Sequence, residues 1–134
     1  MATVRDMRAA ITANRAALRE AIEGAADTWE ASPGGEEWSP RQVVEHVLET
    51  ELRFATRAAA ILGGNPPRSE QFSFPSAEAA VDALRRCGAE YDTRYSWAED
   101  RDLPKELDGR TLERTMAVAA SHLLEHADQV KALS

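Results

Sequence analysis

The sequence has little cysteine and no long hydrophobic run, and each of these absences excludes a class of protein. Its single cysteine, Cys87, has no partner within the chain, so internal disulfide bonds cannot stabilise the fold. No uncharged apolar stretch approaches the roughly 20 residues that a membrane-spanning helix needs. Residues 1–10 include Arg5, Asp6 and Arg8 and lack the apolar core of a secretion signal. We therefore expect a cytoplasmic protein with no membrane partner.

The chain also lacks an excess of positive charge. Its formal net charge is −7, which argues against nucleic acid as a partner, because phosphate binding needs a basic surface. Hydrophobic residues make up 43% and charged residues 29% of the 134 residues, a balance typical of a globular protein. A chain of this length can bury a hydrophobic core without disulfide bonds or structural metal ions, so we expect a single domain over residues 1–134.

Apolar residues recur at helical spacing in the first half of the chain. One such stretch predicts a helix from about residue 3 into the high 20s, ending before the sequence Ser32-Pro33-Gly34-Gly35. A second helix is expected from Ser39 to about Leu62. Its start is well marked, with Ser39 as N-cap, Pro40 at the first helical position and Gln42 in the place of a capping box.

The second half of the chain predicts two further helices. One begins at Ser76, and the other begins near Thr111, after the Asp108-Gly109 turn signal. Gly88 lies on the buried edge of the third helix, where a close contact with another helix would explain a poor helix former. No alternating β pattern occurs apart from a short extended piece near 72–75.

Four helices with one apolar face each predict an all-α four-helix bundle. The links between the second and third helices, and between the third and fourth, each have roughly 13 residues and could span about 40 Å. A helix of 20 residues is about 30 Å long. Long crossover connections are therefore allowed.

The three histidines of the chain occupy compatible helical positions. His122 and His126 are four residues apart and share one face of the last helix. His46 lies on the shoulder of the second helix's apolar face. If the helices bring these imidazoles together, they form a three-nitrogen metal site with an open position. The alternative is that all three are partly buried histidines with ordinary structural roles.

The sequence around the histidines does not support either of two other known kinds of metal-binding site. A di-iron bundle needs Glu-x-x-His on two helices, and no histidine here has a glutamate three residues before it. The segment from His122 to His126 also spells H-x-x-E-H, the motif of inverted zinc proteases, but only eight residues follow it to supply a further ligand. We interpret that match as accidental, although Glu125 could lie near a bound water and is a candidate catalytic residue.

Glu51 is the second candidate catalytic residue. It projects near the middle of an apolar helix face, where an unpaired carboxylate is costly. One interpretation is a buried ion pair with an arginine of another helix, and the other is a group that orients a ligand histidine. Gln129 and Thr50 could orient a histidine in the same way, or could be ordinary surface residues.

Two segments together resemble the DinB/YfiT-like superfamily. They are Trp38-Ser39-Pro40-Arg41-Gln42-Val43-Val44-Glu45-His46, with Glu51 five residues further on, and His122-Leu-Leu-Glu-His126-Ala-Asp-Gln129. The likeness extends over nearly the whole chain. It implies a four-helix bundle with an unusual connection order, a divalent metal ion held by His46, His122 and His126, and a homodimer.

The resemblance implies several functions and does not choose among them. Some members transfer a low-molecular-weight thiol of the mycothiol, bacillithiol or glutathione type to an electrophile, and a related branch isomerises maleylpyruvate. Zinc, nickel and iron all accept imidazole ligands. We predict a metal-dependent thiol S-transferase whose partners are a small-molecule thiol and an electrophile. The alternatives are a non-catalytic, stress-related binding module and a thiol-dependent isomerase.

Overall fold

The computed structural model describes residues 2–134 and contains four long α-helices. They are α1 (Val4–Gly24), α2 (Pro40–Leu62), α3 (Ala77–Ser96) and α4 (Leu112–Ala132). The connections contain two 3-10 helices, Ala26–Thr28 and Asp100–Asp102, and a hairpin of β1 (Glu106–Leu107) and β2 (Arg110–Thr111). The predicted all-α class and the predicted number of long helices are confirmed.

Local side-chain caps begin the helices at the residues that the sequence indicated. At α2 the Ser39 hydroxyl accepts from the Gln42 amide, and the Gln42 side chain accepts from the Ser39 amide at 3.0 Å. Ser76 and Thr111 are the N-caps of α3 and α4. The expected end of the first helix was too late, because α1 ends at Gly24, a poor helix former, and the chain tightens into a 3-10 turn.

The hairpin between α3 and α4 was not expected as a strand pair. The predicted Asp108-Gly109 turn connects β1 to β2, and both turn residues have positive φ, 52° and 77°. Each strand has only two residues, which is too short for an alternating pattern to be visible in the sequence. Residues 72–75, where a short extended piece was expected, form no strand, and Phe72 and Phe74 pack into the core.

Around the bundle the helices follow the order α1, α4, α2, α3. The Asn14 amide donates to the Ala120 carbonyl at 2.8 Å, and the Thr28 hydroxyl donates to the Leu133 carbonyl at 2.9 Å. These contacts pair the middle of α1 with the middle of α4 and the two C-terminal ends with each other. The first and last helices therefore run side by side in the same direction.

The other two helices form a second parallel pair. A hydrogen bond of 2.7 Å from the Phe74 amide to the Glu45 carboxylate joins the start of α2 to the chain entering α3. At the opposite end, Gly64 after α2 lies against the Trp97 ring after α3. The links from α1 to α2 and from α3 to α4 therefore connect helices that are diagonal in the bundle. The link from α2 to α3 joins the end of one helix to the start of its parallel neighbour, so it runs along the length of the bundle. The long crossovers that the lengths of the α2–α3 and α3–α4 links allowed are therefore confirmed.

A buried ion network joins α1, α2 and α3. The Arg15 guanidinium lies 3.0 Å from a Glu51 oxygen and 2.8 Å from Asp92. Arg15 is 8% exposed and Glu51 is 2% exposed, so their charges face each other away from water. This is an ion pair with an arginine of another helix, one of the two interpretations of Glu51.

Gly88 is explained by the same arginine. A Cβ atom at this position would lie 2.8 Å from Arg15 Cδ, a distance that side chains do not tolerate. Arg15 cannot easily move aside, because two carboxylates hold its guanidinium. The close contact is thus between the glycine backbone and an arginine side chain.

We expect Gly88→Ala to lower the free energy of unfolding by up to about 2 kcal/mol. Overpacking costs about 1–3 kcal/mol, and the better helix propensity of alanine offsets about 1 kcal/mol of it. Gly24→Ala is the matched control, because nothing lies within 4 Å of its added Cβ and the change should be neutral or stabilising. Urea unfolding of both variants measures the difference, and equal stabilisation by both would contradict the role of Arg15.

Candidate metal centre

The three histidines come together between α2 and α4. His46 lies in the second turn of α2, while His122 and His126 lie one turn apart in the second half of α4. Each offers one ring nitrogen such that all three atoms lie within 4.8 Å of one another. The ring centroid of His46 is 5.6 Å from that of His122 and 5.5 Å from that of His126. The structure thus unites all the residues that the sequence predicted as ligands.

The donor set of this cluster fits a divalent metal ion. Nε2 of His122 and Nε2 of His126 are 2.9 Å apart. Two nitrogens bound to one ion at about 2.1 Å lie roughly 3.0–3.4 Å from each other, depending on the bond angle. Three imidazoles also leave a coordination position free for a water or a substrate. All three side chains are half-buried, so solvent reaches the cluster.

Burial keeps two of the three histidine rings, His46 and His122, in their neutral form. Burial lowers the pKa of His122 to about 4, and the neighbouring His126 and His46 act in the same direction. Burial is also the largest cause of the lowered pKa of His46, followed by His126 and Arg53. Both rings are therefore neutral at neutral pH and have a nitrogen lone pair to donate.

The two α4 histidines differ in the contacts of Nδ1, the ring nitrogen that points away from the shared Nε2–Nε2 contact. Nδ1 of His126 lies 2.7 Å from Oε1 of Gln129, one of the residues considered from the sequence. Nδ1 of His122 is buried and has no hydrogen-bond partner among residues 2–134. Thr50, the other residue considered, donates to the backbone carbonyl of His46 at 3.0 Å. This hydrogen bond goes to the main chain of His46 and so does not orient its ring.

Two aromatic side chains line the cluster, and the sequence analysis did not place them there. The Trp38 ring lies 5.2 Å from the His46 ring, and the Phe54 ring lies 6.0 Å from the His122 ring, edge to face. Phe54 follows His46 by eight residues, a spacing that keeps both on one side of α2 and could have indicated it. Trp38 precedes the helix, so helical periodicity carried no signal for it.

A cavity of about 320 Å³ opens beside His46. Its other lining residues are Trp38, Gln42, Glu45 and Glu49. A cavity of about 420 Å³ lies elsewhere, between α1 and the end of α4, and no histidine lines it. We take the smaller cavity as the candidate site, because it alone of these two reaches the imidazole cluster.

The two candidate catalytic glutamates lie in different places. Glu51 is turned toward Arg15 and the α1–α3 side of the bundle. Glu125 is exposed on α4, and its charge raises the pKa of His122 against the larger effect of burial. Neither belongs to the group of side chains whose ligand atoms converge within the described residues.

Comparison with known proteins assigns the family. The family model of the DinB superfamily matches residues 10–130, so the chain belongs to the DinB superfamily. Searches of curated proteins and of solved structures gave no significant match. In residues 2–134 no helix is sufficiently long and apolar to cross a membrane.

Proposed function

We propose that this member of the DinB superfamily binds one divalent metal ion through His46, His122 and His126 and transfers a low-molecular-weight thiol to an electrophile. The observation that carries the proposal is the convergence of three imidazoles from two helices. A cavity beside His46 gives a small molecule access to this member of the cluster. Membership of the DinB superfamily supports a metal-associated role.

The chemistry needs a thiol in its nucleophilic form. A divalent ion held by His46, His122 and His126 would favour the deprotonated thiol at neutral pH, which is the form that attacks an electrophile. In the proposed transfer a bond forms between the thiol sulfur and the electrophilic carbon, and the leaving group departs with the electrons of its bond. The thiol proton goes to solvent, which reaches the half-buried cluster.

The residues around the cluster would hold the two reactants. Trp38 and Phe54 offer aromatic surfaces next to His46 and His122 for an apolar electrophile. Arg53 is exposed, and its charge lowers the pKa of both of these histidines, so it is close enough to attract an anionic group of a thiol.

The proposal predicts thiol-dependent turnover that requires a metal. Purified protein is loaded with zinc, nickel or ferrous iron and assayed with glutathione, bacillithiol or mycothiol and one chromogenic electrophile. We expect product formation above the uncatalysed rate with at least one thiol, loss of that rate on chelation, and recovery when the metal is returned. His46→Ala should show no rate above background.

Two outcomes would contradict thiol transfer. Protein that binds the metal at the histidines and turns over none of the thiols would be a non-catalytic binding module. Protein that converts maleylpyruvate to its trans isomer with only catalytic amounts of thiol would be an isomerase. The homodimer implied by the family resemblance stays a prediction.

A further inference from the structure

The outer contacts of the ligand pair on α4 are unequal. Gln129 follows His126 by three residues, so both side chains project from one face of the helix. The amide oxygen of Gln129 can only accept a hydrogen bond, and it lies 2.7 Å from Nδ1 of His126. A proton on Nδ1 of His126 therefore satisfies both atoms. In the tautomer with its proton on Nδ1, the imidazole of His126 has its lone pair on Nε2.

His122 has no comparable partner. Its Nδ1 is buried without a hydrogen-bond partner among the described residues. Its ring is held instead by packing, with the Phe54 ring edge to face at 6.0 Å. Nε2 of His122 lies 2.9 Å from Nε2 of His126. Since Nε2 of His126 has no proton, a hydrogen bond between these two nitrogens in the metal-free protein requires the proton on Nε2 of His122.

We propose that Gln129 is a positioning residue that sets the tautomer of His126, so that His126 is ready to bind the metal and His122 is not. In the metal-free protein, His126 has its proton on Nδ1 and a lone pair on Nε2. His122 has the opposite tautomer, and its proton must leave Nε2 before that nitrogen can bind an ion. This inference rests on the proposed metal site, because the readiness of a ligand has meaning only if an ion binds.

The first test is the tautomer itself, which does not require any metal. Nitrogen-15 NMR of the metal-free protein at neutral pH distinguishes the two ring nitrogens of each histidine. We expect His126 protonated on Nδ1 and His122 protonated on Nε2. In Gln129→Leu, His126 should shift toward protonation on Nε2. A parent protein with His126 already protonated on Nε2 would overturn the proposal.

The second test is zinc affinity, measured by competition with a chromophoric chelator. We expect Gln129→Leu to bind zinc about tenfold more weakly, at the lower end of the roughly 10–100-fold effect of removing such a partner. The lower end applies because Gln129 is exposed, so water replaces part of its contact. Gln129→Glu should bind at least as tightly as the parent, because a carboxylate also accepts the Nδ1 proton.

Asp128→Leu is the matched control, since Asp128 is the exposed neighbour of Gln129 and is not part of the histidine cluster. Zinc affinity should be within twofold of the parent in this variant. A Gln129→Leu affinity equal to that of Asp128→Leu would overturn the positioning role. If the parent bound no zinc at the histidines, the proposed metal site would be wrong, and the NMR result would still decide whether Gln129 sets the tautomer.

Discussion

Replacing Arg15 by methionine is expected to lower the free energy of unfolding by about 3–5 kcal/mol, the cost of breaking a buried ion pair from one side. Glu51 stays 2% exposed in this variant and loses the cation at 3.0 Å. The second oxygen of Glu51 already has no partner, so no other group in the described structure compensates. Urea unfolding, with the parent as reference, measures the loss.

The loss should depend on pH in a defined direction. Burial raises the pKa of Glu51, and the charge of Arg15 and its hydrogen bond oppose that rise. Without Arg15 the folded-state pKa rises further above the unfolded value of about 4.3. A carboxyl group of this kind is most favourable below the unfolded pKa, and the stability falls as the pH rises through the folded pKa. Arg15→Met should therefore be closest to the parent in acid and weakest at neutral pH.

Two controls separate the buried charge from simple loss of packing. Asp92→Asn removes the other carboxylate on Arg15, but that side chain is 36% exposed, so the expected cost is about 1 kcal/mol or less. Glu51→Gln in the Arg15→Met background removes the unpaired charge, so it should recover part of the stability and abolish the extra pH dependence. An Arg15→Met protein as stable as the parent at neutral pH would contradict the importance of the pair.

His46→Ala is expected to weaken zinc binding by at least about 100-fold. Removal of an outer partner of a ligand costs about 10–100-fold, and removal of the ligand itself should cost more. His46 is the one α2 member of the cluster, so the variant retains only the pair on α4. Chelator competition measures the change.

A change in zinc affinity must be distinguished from unfolding. Glu49→Gln is the matched control, because Glu49 is exposed, lines the same cavity and lies outside the ligand group. We expect its zinc affinity to change by only a few-fold. Thermal unfolding by circular dichroism should show that the metal-free His46→Ala protein is as well folded as the parent. A folded His46→Ala protein with the parent's affinity would exclude His46 as a ligand.

The helix starts could be predicted from the sequence because they depend on neighbouring residues. Ser39, Pro40 and Gln42 supply the cap, the fixed backbone angle and the reciprocal hydrogen bond within four positions of the chain. The order of helices around the bundle depends on contacts between residues that are distant in sequence. For this reason the chain alone allowed crossovers and could not fix which helices are neighbours.

For the candidate metal site, too, the sequence predicted the local geometry and left the helix contacts open. The spacing of His122 and His126 fixes a shared face, and the position of His46 on its helix makes convergence possible. The contact between α2 and α4 joins segments that are distant in sequence, so only the structure shows it. The same holds for Gly88, where the sequence indicated a close contact and only the structure identifies the Arg15 side chain as the partner.

X-ray absorption at the zinc edge of the zinc-loaded protein is the most direct test of a metal centre built from these imidazoles. We expect about three imidazole nitrogens at 2.0–2.1 Å, roughly the bond length of zinc to histidine, and one oxygen ligand from water. The triple variant with His46, His122 and His126 changed to alanine should bind no zinc under the same conditions. A spectrum with oxygen ligands only, or equal zinc content in the triple variant, would contradict the proposed centre.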